Sequence, residues 1–182
     1  MLHQRVSVST PCVLQSVSLQ SPVGELQVSG CEKGVHTITI TVETAERCCS
    51  DLSCHPAELK PELQHCVKWL QSYFRSAESV SSLRLPVLHH QLLQEDSFTA
   101  CVLRTLQTRV PVGQTVSYKQ LAEMVGNPKA IRAVGGVMRR NPVPLIVPCH
   151  RVVCSSGASG RYMGGRGDHI KQWLLFHERQ EH

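Results

Sequence analysis

Polar and apolar residues alternate along three stretches near the start of the chain. Val13-Leu14-Gln15-Ser16-Val17-Ser18-Leu19 alternates in part. Glu25-Leu26-Gln27-Val28-Ser29 and His36-Thr37-Ile38-Thr39-Ile40-Thr41-Val42 do so cleanly. A period of two puts one set of side chains on one face, so the stretches predict a three-stranded antiparallel meander with one buried face. Turns fall at Ser21-Pro22-Val23-Gly24 and between Gly30 and Gly34, and a polar, cysteine-containing loop follows over residues 43–55. The period then changes. From about Pro61 to Arg75, the residues Leu63, Cys66, Val67, Leu70, Tyr73 and Phe74 share one helical stripe, with Pro61 suited to the first turn. Residues 76–93 read mostly as a linker crossing between halves, which sets a domain boundary near Gln94.

The second half reads as helical. Ser97 caps a helix whose apolar residues are Phe98, Val102, Leu103 and Leu106. Ser117-Tyr118-Lys119-Gln120 is a capping box, and the short helix it opens stops at Gly126. Asn127 and Pro128 then predict a new helix, as cap and first residue, running to about Arg139. A last helix, Asp168 to about Arg179, buries Ile170, Trp173, Leu174 and His177. The expected class is therefore α+β. An N-terminal antiparallel sheet with a helix occupies residues 1–93, and a helical domain with a helix-turn-helix occupies 94–182.

Composition changes this picture little. Hydrophobic content of 41% and charged content of 18% suit a folded globular chain, and no apolar run reaches the length of a membrane span. The first seven residues lack the apolar core of a signal peptide, so the chain is expected to stay in a reducing compartment. Its nine cysteines then point to thiols, metal ligation or reactivity rather than disulfides. The net charge of +5 permits an anionic partner without demanding one.

The chemistry concentrates in Pro148-Cys149-His150-Arg151-Val152, which follows the apolar run Leu145-Ile146-Val147. Pro142, Pro144 and Pro148 stiffen the approach and present the thiol in a fixed direction. The adjacent histidine can act, directly or through a water, as the base that makes a thiolate. The competing reading is a buried cysteine that serves as a small hydrophobe. The second helix of the helix-turn-helix carries Lys129, Arg132, Arg139 and, just beyond, Arg140, with Ala130, Ala133, Gly135 and Gly136. Small residues let a backbone press close to a phosphate-lined groove while the cations neutralise phosphates. The same residues would equally serve helix–helix packing and a solvated charged face. A thiolate beside DNA is a soft nucleophile suited to removing an alkyl group from a base that has left the stack.

Taken together, Pro148-Cys149-His150-Arg151-Val152, Asn141-Pro142-Val143-Pro144, Ser117-Tyr118 and Gly126-Asn127-Pro128-Lys129-Ala130 through Gly136 resemble the O6-alkylguanine-DNA alkyltransferases. The likeness is strong from Phe98 to Glu178 and weaker over the meander. It implies that Cys149 takes the alkyl group from guanine O6 irreversibly, once per molecule, as direct damage reversal. It further implies that His150 takes the thiol proton through a water, Glu178 orients the imidazole, Asn141 braces the turn and Tyr118 helps the guanine leave. Thr99, Tyr118, Lys119, Asn127, Arg132 and Ser155 match positions that touch the strand, with Arg132 filling the gap left by the flipped base in the minor groove. Cys12, Cys31, His36 and His89 match ligands of one structural zinc ion, and no organic cofactor is expected. The partner is duplex DNA containing O6-alkylguanine, bound by a chain that is monomeric when free and nuclear.

Two departures from the pattern touch the pocket. Met163 stands where a serine is usual, and the link to the last helix, residues 164–171, is longer than usual. Cys48, Cys49, Cys54 and His55 have no counterpart in the family and read as loop residues. Two other classes compete with repair: a helix-turn-helix protein that marks alkylated DNA without repairing it, and a cysteine hydrolase. The marking relatives lack the reactive cysteine, and nothing else in the sequence calls for a hydrolase.

Overall fold

A computed structural model of the chain describes residues 11–41 and 58–179. The strands β1 (Gln15–Ser21), β2 (Gly24–Cys31) and β3 (Gly34–Thr41) form an antiparallel sheet in the order β1-β2-β3. The alternation in the sequence is the alternation of burial: Leu26, Val28, Ile38 and Ile40 face inward and are buried. Helix α1 (Pro61–Arg75) covers that face, packing across β2 and β3 with Leu63, Cys66, Trp69, Leu70 and Tyr73. Trp69 belongs to this buried stripe in place of the predicted Val67, which is only half-buried. Val42, the predicted end of the third strand, and Cys48, Cys49, Cys54 and His55 lie outside the described residues.

The segment read as a linker is partly structured. Residues Ala77–Ser82 form a 3-10 turn that buries Ala77 and Val80. The stretch around Leu88 then runs beside β3 with two backbone bonds, Val35 N–H to the Val87 carbonyl at 2.8 Å and His89 N–H to the Val35 carbonyl at 2.7 Å. Gly34 permits this approach. Its φ is +153°, and a Cβ there would stand 2.6 Å from the Val87 oxygen. A short helix α2 (Gln91–Gln94) leads into α3 (Phe98–Arg109), capped by Ser97 as predicted. The α3 core residues are Ala100, Val102, Leu103 and Leu106, whereas Phe98, at the first turn, is 37% exposed and outside the core.

The capping box at Ser117 and Gln120 opens α4 (Tyr118–Met124), with both reciprocal bonds made. The following helix departs from the prediction. Asn127 and Pro128 form a turn in which the Ala130 N–H bonds to the Asn127 carbonyl at 3.0 Å. Helix α5 (Ile131–Arg139) starts three residues later than expected, with Ala130 at its N-cap and no side-chain cap. The second half is also not purely helical. Between α3 and α4 the two-residue strand β4 (Val116–Ser117) pairs in parallel with β5 (Val152–Val153), which follows Arg151. Helix α6 (Asp168–Arg179) closes the fold and buries Ile170, Lys171, Leu174, Leu175 and Glu178, with Trp173 and His177 half-buried. The two halves meet where Ile38 N–H donates to the Pro142 carbonyl at 2.9 Å.

Candidate active site and metal cluster

Cys149 begins a single 3-10 turn, Cys149–Arg151, between the proline-rich approach and β5. The approach is held tightly. Leu145 has a left-handed φ of 74°, and Val147 N–H returns to the Val143 carbonyl at 3.0 Å. Asn141 clamps both ends of this loop: its Nδ2 donates to the Val147 carbonyl at 2.8 Å, and its Oδ1 accepts from Val143 N–H at 3.1 Å. The asparagine side chain thus substitutes for backbone pairing where the chain turns too sharply to pair with itself.

The Cys149 thiol is buried, 3.7 Å from the Tyr162 hydroxyl. It lines a cavity of about 610 Å³ whose walls include Tyr118, Asn141, Tyr162 and Lys171. Burial pushes the thiol pKa up, while the Asn141 amide, the Tyr162 hydroxyl and the Lys171 ammonium oppose that rise. Lys171 is almost fully buried, and its Nζ donates to the Val152 carbonyl at 2.6 Å. Tyr118 is half-buried on the cavity wall, and burial, then Cys154 and Cys149, raises its pKa.

Behind the thiol lies a buried charged network centred on Glu178. His150 Nε2–H donates to Glu178 Oε1 at 2.6 Å. Arg151 reaches the same carboxylate with Nε at 2.8 Å to Oε2 and a terminal nitrogen at 2.9 Å to Oε1, and its other terminal nitrogen meets the Val110 carbonyl at 2.8 Å. The Tyr73 hydroxyl, from α1, donates to Glu178 Oε1 at 2.7 Å. Burial alone would raise the Glu178 pKa, but His150 and Arg151 hold it well below the usual carboxylate range. Burial lowers the His150 pKa, against the pull of Glu178 the other way. Among the described residues its Nδ1 has no hydrogen-bond partner, which leaves that nitrogen free to take a proton.

Sequence reasoning named Cys149, His150, Glu178, Asn141 and Tyr118, and the fold brings these toward one cavity and the network behind it. It missed Tyr73, Arg151, Tyr162 and Lys171. Of the residues expected to touch a strand, Tyr118 lines the cavity, Lys119, Asn127, Arg132 and Ser155 are exposed, and Thr99 is half-buried. Helix α5 presents Gly135 and Arg139 to the cavity rim. A Cβ on Gly135 would meet no atom within 4 Å, so packing inside the chain does not require a glycine there.

A second constellation forms at the other end of β3. Cys31 ends β2, His36 lies near the start of β3, His89 arrives on the segment bonded to Val35, and Cys12 precedes β1. Their ligand atoms all lie within 4.8 Å of one another. The sulfur of Cys31 is 3.2 Å from His36 Nε2 and 3.3 Å from His89 Nδ1. His89 Nδ1 is 3.1 Å from His36 Nε2 and 3.7 Å from the Cys12 sulfur. An ion bonded tetrahedrally at about 2.0–2.3 Å sets its ligand atoms about 3.3–3.8 Å apart. The donor set and spacing therefore fit a metal ion. Lys33 N–H also donates to the Cys31 sulfur at 3.3 Å, a bond that steadies a thiolate ligand.

Two family models match the chain. They are the DNA binding domain of 6-O-methylguanine DNA methyltransferase over residues 97–180 and its ribonuclease-like domain over residues 16–88. The methylated-DNA–protein-cysteine methyltransferases of Mus musculus and Homo sapiens are each 47% identical, covering 92% of this chain and 82% and 81% of theirs. Among solved structures, a Mycobacterium tuberculosis protein bound to DNA is 29% identical, with a TM-score of 0.66, covering 89% of this chain and 91% of that one.

Proposed function

Since the chain belongs to the 6-O-methylguanine DNA methyltransferase family, and acts as a methylated-DNA–protein-cysteine methyltransferase in the repair of alkyl damage to DNA, we propose the following roles for its residues. Cys149 is the acceptor. Its sulfur attacks the alkyl carbon on guanine O6, a carbon–sulfur bond forms as the carbon–oxygen bond breaks, and the thiol proton passes through a water to His150 Nδ1. Glu178, 2.6 Å from the other ring nitrogen, fixes the tautomer and stabilises the imidazolium. Asn141 holds the turn that aims the sulfur, and the Tyr118 hydroxyl gives a proton to the departing guanine. The product thioether has no route back, so each molecule reacts once. One observation carries this reading: a thiol at the wall of a cavity of about 610 Å³, flanked in sequence by a histidine whose second nitrogen is held by a buried carboxylate.

The substrate base reaches the cavity by leaving the duplex. Helix α5 enters the minor groove, Arg132 fills the gap, and Thr99, Lys119, Asn127 and Ser155 contact the strand. The open side of Gly135, at the cavity rim, supports close approach of this helix to DNA. Residues 1–93 and 94–182 form two domains, the first holding a structural zinc ion on Cys12, Cys31, His36 and His89. Zinc supplies a fixed tetrahedral centre that ties the hairpin to the segment before α2. The free protein is monomeric and works in the nucleus.

Intact mass and peptide mapping after incubation with an oligonucleotide containing O6-methylguanine test this reading. One methyl group on Cys149, absent in Cys149→Ser, is the expected result. Tight DNA binding with no mass change would replace repair by lesion marking.

A further inference from the structure

Four residues donate to the Glu178 carboxylate, and three of them share one oxygen. Oε1 accepts from His150 Nε2 at 2.6 Å, from the Tyr73 hydroxyl at 2.7 Å and from an Arg151 terminal nitrogen at 2.9 Å. Oε2 accepts from Arg151 Nε at 2.8 Å and from Gly113 N–H at 3.4 Å. A carboxylate oxygen offers about two lone-pair directions, so three donors on Oε1 divide the charge that each would otherwise draw on. Arg151, bonded to both oxygens, already supplies the buried countercharge. The Tyr73 hydroxyl is not needed for that purpose, and its effect falls on the oxygen that holds the imidazole.

The Tyr73 ring is buried and fixed in direction. Trp69 stacks on it at 5.7 Å with an interplanar angle of 6°, and the His177 ring meets it edge-on at 5.5 Å. Burial, then the Glu178 carboxylate, pushes the pKa of the Tyr73 hydroxyl well up, so it keeps its proton and remains a donor. The charged groups that face His150 among the described residues are Glu178 and Lys171 of α6 and Arg151 beside it, and Cys149 adjoins it in sequence. Burial lowers the His150 pKa, Glu178 raises it, and Arg151 and Lys171 lower it further. Glu178 is thus the one group that strengthens the base, and a hydroxyl that draws on its Oε1 weakens that support.

We propose that Tyr73 of α1 is a positioning residue for the transfer reaction: by donating to the oxygen that holds His150, it tempers the imidazole as a base and sets the pH at which Cys149 becomes reactive. This rests on the reading of His150 as the base for Cys149. The ring protons of His150 are titrated by NMR. The rate of Cys149 alkylation by an oligonucleotide containing O6-methylguanine is measured over the same pH range. Both are done for the unsubstituted protein and for Tyr73→Phe, which keeps the ring and its stacking on Trp69. In Tyr73→Phe the His150 midpoint and the acid limb of the rate profile are both expected to rise by about one pH unit, the scale of one hydrogen bond to a charged group. A fluorotyrosine at position 73, whose hydroxyl is the stronger donor, should move both the other way. A His150 midpoint that fails to rise in the first variant, or to fall in the second, would overturn the proposal and leave Tyr73 with packing alone. An imidazole titration that moves while the rate profile does not would overturn it differently, by showing that His150 is not the base, which is a failure of the underlying reading.

Discussion

Glu178 shows how much one side chain can carry. It accepts from His150, Arg151 and Tyr73 in a setting nearly sealed from water. Replacing it with glutamine removes the only side-chain anion bonded to Arg151 among the described residues, and a buried cation left without its partner costs about 3–5 kcal/mol. Glu178→Gln should show that loss in denaturant unfolding, along with a large drop in the rate of Cys149 alkylation. The acid branch of stability is a finer readout. The folded pKa lies below the ordinary value of 4.5, so the unfolded chain takes up the proton first. The stabilisation is complete above about pH 4.5 and shrinks as the pH falls below it. Glu178→Gln should therefore flatten that part of the melting curve, and an identical acid slope in both proteins would refute the assignment. Cys149 and His150 were legible as a candidate pair because they are adjacent in sequence. Lys171 was legible in principle: it shares a helical face with Leu174, Leu175 and Glu178, at intervals of three and four, but a lysine is discounted when the eye follows apolar residues. Tyr73 was read only as core, since nothing local shows that its hydroxyl meets a carboxylate 105 residues away.

At the scale of elements, helix α1 was read to the residue and the three strands to within two residues at each end, and the shortest elements were not read. Helix α1 and the three strands carry enough repeats to declare their period. Strands β4 and β5 have two residues each, too few to show one. Asn127 and Pro128 satisfy the rules for a helix start, yet here they close a turn, because Asn127 N–H is already bonded to the Ala122 carbonyl at the end of α4. The consequence is a later-starting α5 that opens with exposed Ile131 and Arg132. Gly135 lies one turn further along this helix. An alanine there would meet nothing in the protein and should stabilise the helix by about 0.5–1 kcal/mol. If α5 lies against DNA, the same methyl group should slow repair in duplex DNA. Gly135→Ala is thus expected to melt higher and repair more slowly. Higher melting with unchanged repair would move the DNA contact away from Gly135.

Across the whole molecule, the two halves share their working parts. Ile38 of the sheet bonds to Pro142, next to the asparagine that braces the reactive turn. Tyr73 of α1 touches Glu178, and His177 donates from its Nε2 to the Tyr73 carbonyl at 2.7 Å. The cluster of Cys12, Cys31, His36 and His89, which could hold a metal, stands near the start of the strand that carries Ile38 and brings the hairpin together with the segments at Cys12 and His89. Cys31→Ser should lower both the zinc content of the purified protein and its melting temperature, while some repair persists, because Cys149 and its network keep their own bonds. Metal content equal to that of the unsubstituted protein would refute zinc at this cluster.

The position of Glu178 along the chain also sets an order in time. During synthesis Tyr73 emerges first, then Cys149 and His150, and the last turn of α6 only after them. Before that turn docks, Arg151 has no anion and the imidazole no carboxylate. In the nascent chain the pair of His150 and Glu178 is therefore complete only after nearly every described residue has been made.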